Sequence, residues 1–117
     1  MSIMSDLYEL IGPVMDGRAY RNTAPDSPQS PYATFLRVSG VEGATLDANG
    51  GTANESDTRL QIDVWALSGV DVDAKAAGIK AALKGWHIPN RILLERDDYE
   101  TDTKLHRIML DVQTIHQ

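Results

Sequence analysis

The sequence predicts an α+β fold: a four-stranded, mainly antiparallel sheet with two helices packed on one of its faces. Three observations carry this. Thr58–Ser68 (TRLQIDVWALS) alternates apolar and polar residues with a period of two, the mark of a half-buried strand. Two other stretches, one at the N-terminus and one directly after this strand, carry apolar residues at helical spacing. The remaining periodic segments have strand character, which sets the order helix, strand, strand, helix, strand, strand.

In the first helix Ile3, Leu7, Leu10, Ile11 and Val14 share one face, and Asp6 and Glu9 fall on the other. Ser2 is placed to cap it and Asp6 suits the positive end of the helix dipole. Pro13 weakens the last turn and Gly17 supplies a left-handed stop, so the expected length is roughly three turns. Residues 18–31 (RAYRNTAPDSPQSP) read as an irregular connector. Pro25, Pro28 and Pro31 stiffen it into an extended spacer, and Arg21 is one place out of register for a proline-recognition ligand.

Tyr32–Val41 is the first strand, with Tyr32, Thr34, Leu36 and Val38 on one face and Ala33, Phe35 and Arg37 on the other. Residues 42–57 hold almost nothing to bury. Asn49-Gly50-Gly51 is a strong turn signal, so a long, mobile loop is expected to join this strand to Thr58–Ser68. In that central strand Leu60, Ile62, Val64 and Ala66 face the core, and Gln61, Asp63 and Trp65 point the other way.

The second helix is predicted at about 70–84. Ser68 is its cap, Asp71 follows three residues on, and Val72, Ala76, Ile79 and Leu83 form its apolar stripe. Ala74, Ala77, Ala81 and Ala82 keep it slim for close packing on a sheet, and Gly85 ends it. Arg91–Tyr99 and Lys104–His116 form a closing hairpin around an acidic turn.

A chain of 117 residues is long enough for one domain, 1–117, to bury a core without metal or disulfide staples. Seventeen acids against eleven Lys and Arg leave a net charge of −6, which disfavours a nucleic-acid or anionic-membrane partner held by charge attraction. There is no cysteine, which removes thiol catalysis and cysteine–metal sites. The N-terminal stretch lacks the basic start of a signal peptide and the length of a membrane span, so a cytoplasmic location is expected.

The residue types that carry chemistry do not converge. His106 and His116 sit ~33 Å apart on one extended strand, so they cannot share an ion with His87 as single-chain ligands. Asp97, Asp98, Glu100 and Asp102 lack the Gly and Glu that a calcium loop needs, because those places hold Thr103 and Met109. No nucleophile elbow, phosphate loop or zinc-helix pattern occurs. No catalytic residue, cofactor or metal is expected.

Several stretches, taken in order, resemble the small tail-completion or tail-terminator proteins of long-tailed phages and prophages. They are Leu7-Tyr8-Glu9-Leu10-Ile11, Gly17-Arg18-Ala19-Tyr20, Pro25, Pro31-Tyr32-Ala33-Thr34-Phe35, and Arg37-Val38-Ser39-Gly40. Leu60-Gln61-Ile62-Asp63-Val64-Trp65-Ala66 with the alanine-rich helix, then Glu100-Thr101 and Leu105-His106-Arg107, complete the likeness over nearly the whole chain. The resemblance implies a structural virion protein, not an enzyme. It implies a homo-oligomeric ring, typically a hexamer, that caps the finished tail tube, stops the tube protein polymerising and offers the surface that joins the head. Its implied partners are the major tail tube protein and a head-completion or connector protein, with DNA only passing through the lumen and no membrane. Its implied place is the head-proximal end of the tail, after assembly in the host cytoplasm. Asp47, Asn49 and Glu55 of the long loop would then contact tail or head partners. Trp65, with Phe35 and Met109 beside it if the strands pair in the simplest phase, is either an association patch or a ring covered by neighbouring stems. Another neck component, or a small α+β module that binds a ligand or peptide, is the alternative.

Overall fold

A computed structural model describes residues 2–42 and 56–116. Its elements run α1 (Ile3–Ile11), β1 (Ala19–Arg21), β2 (Tyr32–Glu42), β3 (Ser56–Ala66), α2 (Gly69–Lys84), β4 (Asn90–Glu100) and β5 (Leu105–His116). The strands form one sheet in the order β1-β2-β3-β5-β4, antiparallel throughout except for the β1–β2 pair.

The sheet therefore has five strands rather than the four expected. The fifth is β1, inside the stretch read as a connector. Arg18 anchors it: its carbonyl accepts from Ala33 N–H and its Nε donates to the Pro31 carbonyl at 2.8 Å. Asn22 N–H closes the other end on the Phe35 carbonyl. Three residues are too few to show a period, and a parallel neighbour leaves no hairpin signature in the sequence.

Ser2 caps α1 as expected, its hydroxyl accepting from Ser5 N–H at 3.1 Å. The helix is nine residues long, about two and a half turns. Pro13 and Val14 lie past its end, in a turn reversed by left-handed residues at Asp16 (φ 55°) and Gly17 (φ 82°). In α2 the Ser68 hydroxyl accepts from Asp71 N–H at 3.1 Å, so this cap too forms as predicted. Of the alanines expected against the sheet, Ala74, Ala77 and Ala81 face solvent, while Ala76 is buried. Close packing comes instead at Gly78, where a Cβ would stand 2.8 Å from Val14 Cγ1. Lys75 ties the same contact from α2, donating to the Val14 carbonyl at 3.0 Å.

The core lies between one sheet face and the two helices. Ala33, Phe35, Leu60, Ile62, Val64, Leu110 and Val112 meet Leu7 and Ile11 of α1 and Ala76, Ile79 and Leu83 of α2. Each fully buried Leu, Ile or Val contributes ~1.5–3 kcal/mol. The registers Phe35↔Ile62 and Ile62↔Leu110 put those three side chains in one row on the helix side.

Candidate interaction surface

The opposite face of the sheet is where Trp65 lies. The register Tyr32↔Trp65↔Arg107 lines these three residues up across β2, β3 and β5. The Tyr32 and Trp65 rings stack with centroids 6.0 Å apart and planes 13° from parallel. The Arg107 guanidinium sits 4.9 Å over the Trp65 ring, close enough for a cation–π contact. It is held there by Asp63, whose Oδ1 lies 3.0 Å from both Arg107 Nε and Nη2. Gln61 Nε2 donates to the other carboxylate oxygen at 2.9 Å. Trp65 is thus half-buried under its neighbours' side chains, while its Nε1, itself buried, meets no hydrogen-bond partner among the described residues.

Polar pairs pave the rest of this face. Arg59 bridges diagonally to Asp111, Gln113 donates to Asp57 at 3.0 Å, and Arg91 reaches Gln113 at 3.2 Å. Met109 lies among them opposite Asp63, half-buried. Phe35 does not join Trp65. It is buried on the helix face, because the β2–β3 pairing places Tyr32, not Phe35, on the Trp65 side. Asp47, Asn49 and Glu55 lie outside the described residues, but Asp57, read as part of the loop, belongs to β3. Burial, and then the negative charge of Glu100, raise the Tyr32 phenol above its ordinary pKa.

Leu94 is the exposed apolar side chain of β4 on this face, opposite Asp111, and others lie away from it. Leu67 and Val70 at the β3–α2 turn are 64% and 79% exposed. A groove of about 730 Å³ opens between the C-terminal half of α2 and the start of β4, floored by Ala81, Trp86, Ile88 and Ile92 and rimmed by Lys80 and Lys84. Sequence reading missed this groove, because it arises from the spacing of a helix and an edge strand. Its one local signal is Trp86, a large ring between the stop at Gly85 and the strand that begins at Asn90.

The histidines stay apart: His116 Nε2 lies 2.9 Å from Thr58 Oγ1, His106 meets the edge of Tyr99, and His87 meets Trp86. Among the described residues no group of three or more His, Asp or Glu converges to hold a metal, and no helix is long and apolar enough to cross a membrane.

A sheet with one face packed under helices, the other tied by cross-strand charge pairs, and apolar surface at its margins defines a two-layer α+β domain. Residues 5–117 match the family described as Tail completion protein gp17, and the chain belongs to that family. It is a phage tail structural protein. Among solved structures it is similar to a chain of the virion of a native gene transfer agent particle, at 16% identity over 97% of this chain and 93% of that one, with a TM-score of 0.64. It is also similar in fold to a protein in a crystal structure from Akkermansia muciniphila, at 9% identity over 97% of this chain and 48% of that one, with a TM-score of 0.54. No curated protein matches it.

Proposed function

We propose that this chain assembles as a homo-oligomeric ring, a hexamer, on the finished tail tube at its head-proximal end. The ring ends polymerisation of the major tail tube protein and presents the surface to which a head-completion or connector protein joins. DNA passes through the lumen without being held, in keeping with a net charge of −6. Assembly takes place in the host cytoplasm and the product resides in the virion. The observation that carries the reading is family membership over residues 5–117, nearly the whole chain.

Glu42 and Ser56, the described residues on either side of 43–55, are paired at the end of the β2–β3 ladder. In this reading Asp47, Asn49 and Glu55 contact tail or head partners, and Trp65 and Met109 offer the outer sheet face as a second contact. Phe35, in the core, takes no part. Electron microscopy of tail tubes grown with and without the chain tests this. The chain should give tubes of fixed length ending in a ring, and removing residues 45–54 should leave the fold intact while abolishing capping. Tubes that keep growing in the presence of the intact chain would overturn the reading.

A further inference from the structure

The two ends of α2 carry surfaces of opposite character. At its N-terminal end Leu67 and Val70 are the two most exposed large apolar side chains among the described residues, and Asp71 and Asp73 flank them. At its C-terminal end lies the groove floored by Ala81, Trp86, Ile88 and Ile92, with Lys84 and the Glu95-paired Lys80 on its rim. One surface is an apolar projection edged with acids, and the other is an apolar hollow edged with bases. Within one chain they cannot meet, because Val70 and Ala81 are eleven positions apart on one helix, ~16 Å at 1.5 Å per residue.

The geometry points to a second copy of this chain as the occupant of the groove: Leu67 and Val70 of one copy seat against Ala81, Trp86 and Ile92 of the next, with Asp71 and Asp73 facing Lys80 and Lys84. The two patches differ, so the contact is head-to-tail, and repeating it with a closing rotation builds a ring. Burial of the apolar pair supplies the attraction, and the charges fix the direction and reject the reversed pairing. The inference rests on the ring proposed above and names the surfaces that build it.

The absence of cysteine makes the test clean. A chain carrying both Val70→Cys and Ala81→Cys replaces two solvent-exposed residues. It cannot close a disulfide on itself, since the two Cα atoms lie far beyond the ~7 Å limit for a bridge. Oxidised on tail tubes, it should give a covalent ladder from dimer up to the full ring, and either single variant should give nothing beyond a dimer. Reversing charge on one surface, with Asp71→Lys and Asp73→Lys or with Lys80→Glu and Lys84→Glu, should raise the concentration needed for ring formation by about tenfold or more. Combining all four changes should recover most of that loss, with circular dichroism confirming that each variant is folded.

Four results would overturn the inference and leave the ring standing: no ladder from a chain that still forms rings, a double-cysteine product that stops at a symmetric dimer, charge reversals without effect on assembly, or groove variants that still ring but fail only in joining heads. If the unaltered chain forms no ring on tubes, the reading beneath it falls and this contact with it.

Discussion

Asp63 offers the sharpest quantitative test of the sheet's outer face. Its side chain is 5% exposed and takes three contacts, two from Arg107 and one from Gln61. Replacing it with Ala leaves the guanidinium lying over Trp65 with no counter-charge, and leaves the Gln61 amide without its acceptor. A hydrogen bond to a charged group is worth ~1.5–3 kcal/mol, and stripping one partner from a buried pair costs ~3–5 kcal/mol. Arg107 keeps a quarter of its side chain in water, 25%, which recovers part of its solvation and lowers the expected loss. The expected cost is therefore about 2–3 kcal/mol, a large share of the ~5–15 kcal/mol that holds a typical domain. Urea unfolding followed by tryptophan fluorescence reads it as a lower midpoint at an unchanged slope. Replacing both partners with apolar residues, Asp63→Ala with Arg107→Met, should cost less than Asp63→Ala alone, because no unpaired charge remains. A loss under ~0.5 kcal/mol for the single change would refute the reasoning, since it would make this an ordinary surface ion pair.

Leu110→Ala, at a fully buried central position, should cost ~2–5 kcal/mol in the same assay through the cavity it leaves. Gly17→Ala isolates backbone strain, because φ is 82° and no atom lies within 4 Å of the added methyl; a loss of ~1 kcal/mol is expected. Tyr32 binds its proton more tightly folded than unfolded, so its contribution is complete below pH 10.0 and is lost as pH rises from there through the folded value. Glu100→Gln should lower the folded value, seen as earlier phenolate absorption in an ultraviolet titration, whereas an unmoved curve would mean the Glu100 charge does not reach the ring.

Both helix caps, the two helices and the four long strands were legible because each rests on local chemistry. Ser2 and Ser68 offer hydroxyls to backbone N–H groups within three residues, and Leu60, Ile62, Val64 and Ala66 alternate without a break. What stayed hidden depends on how strands align. Whether Phe35 or Tyr32 shares a face with Trp65 turns on a one-residue phase between β2 and β3. Those strands are joined by thirteen residues, 43–55, and no tight turn fixes the phase from sequence. Met109 lies on the Trp65 face but opposite Asp63, while Arg107 takes the place opposite Trp65. The stacking of Tyr32 on Trp65 and the Asp63–Arg107 clasp follow from those alignments and were invisible until the strands were side by side. The groove needed α2 and β4 to be set apart in space, which no window of sequence encodes.

The edge strand β4 bears on the chain's life before any partner arrives. Eleven residues long, it pairs only with β5, so its outer side offers a row of unmet amide and carbonyl groups to any passing strand. Arg91, Glu95, Arg96, Asp97, Asp98 and Glu100 stud it, and a register irregularity between Ile92 and Leu94 breaks its straight run. Charge and kink together penalise in-register parallel stacking of identical edges, where like would face like. Edge-to-edge joining of copies through β4 is therefore disfavoured, which leaves contact between them to other surfaces.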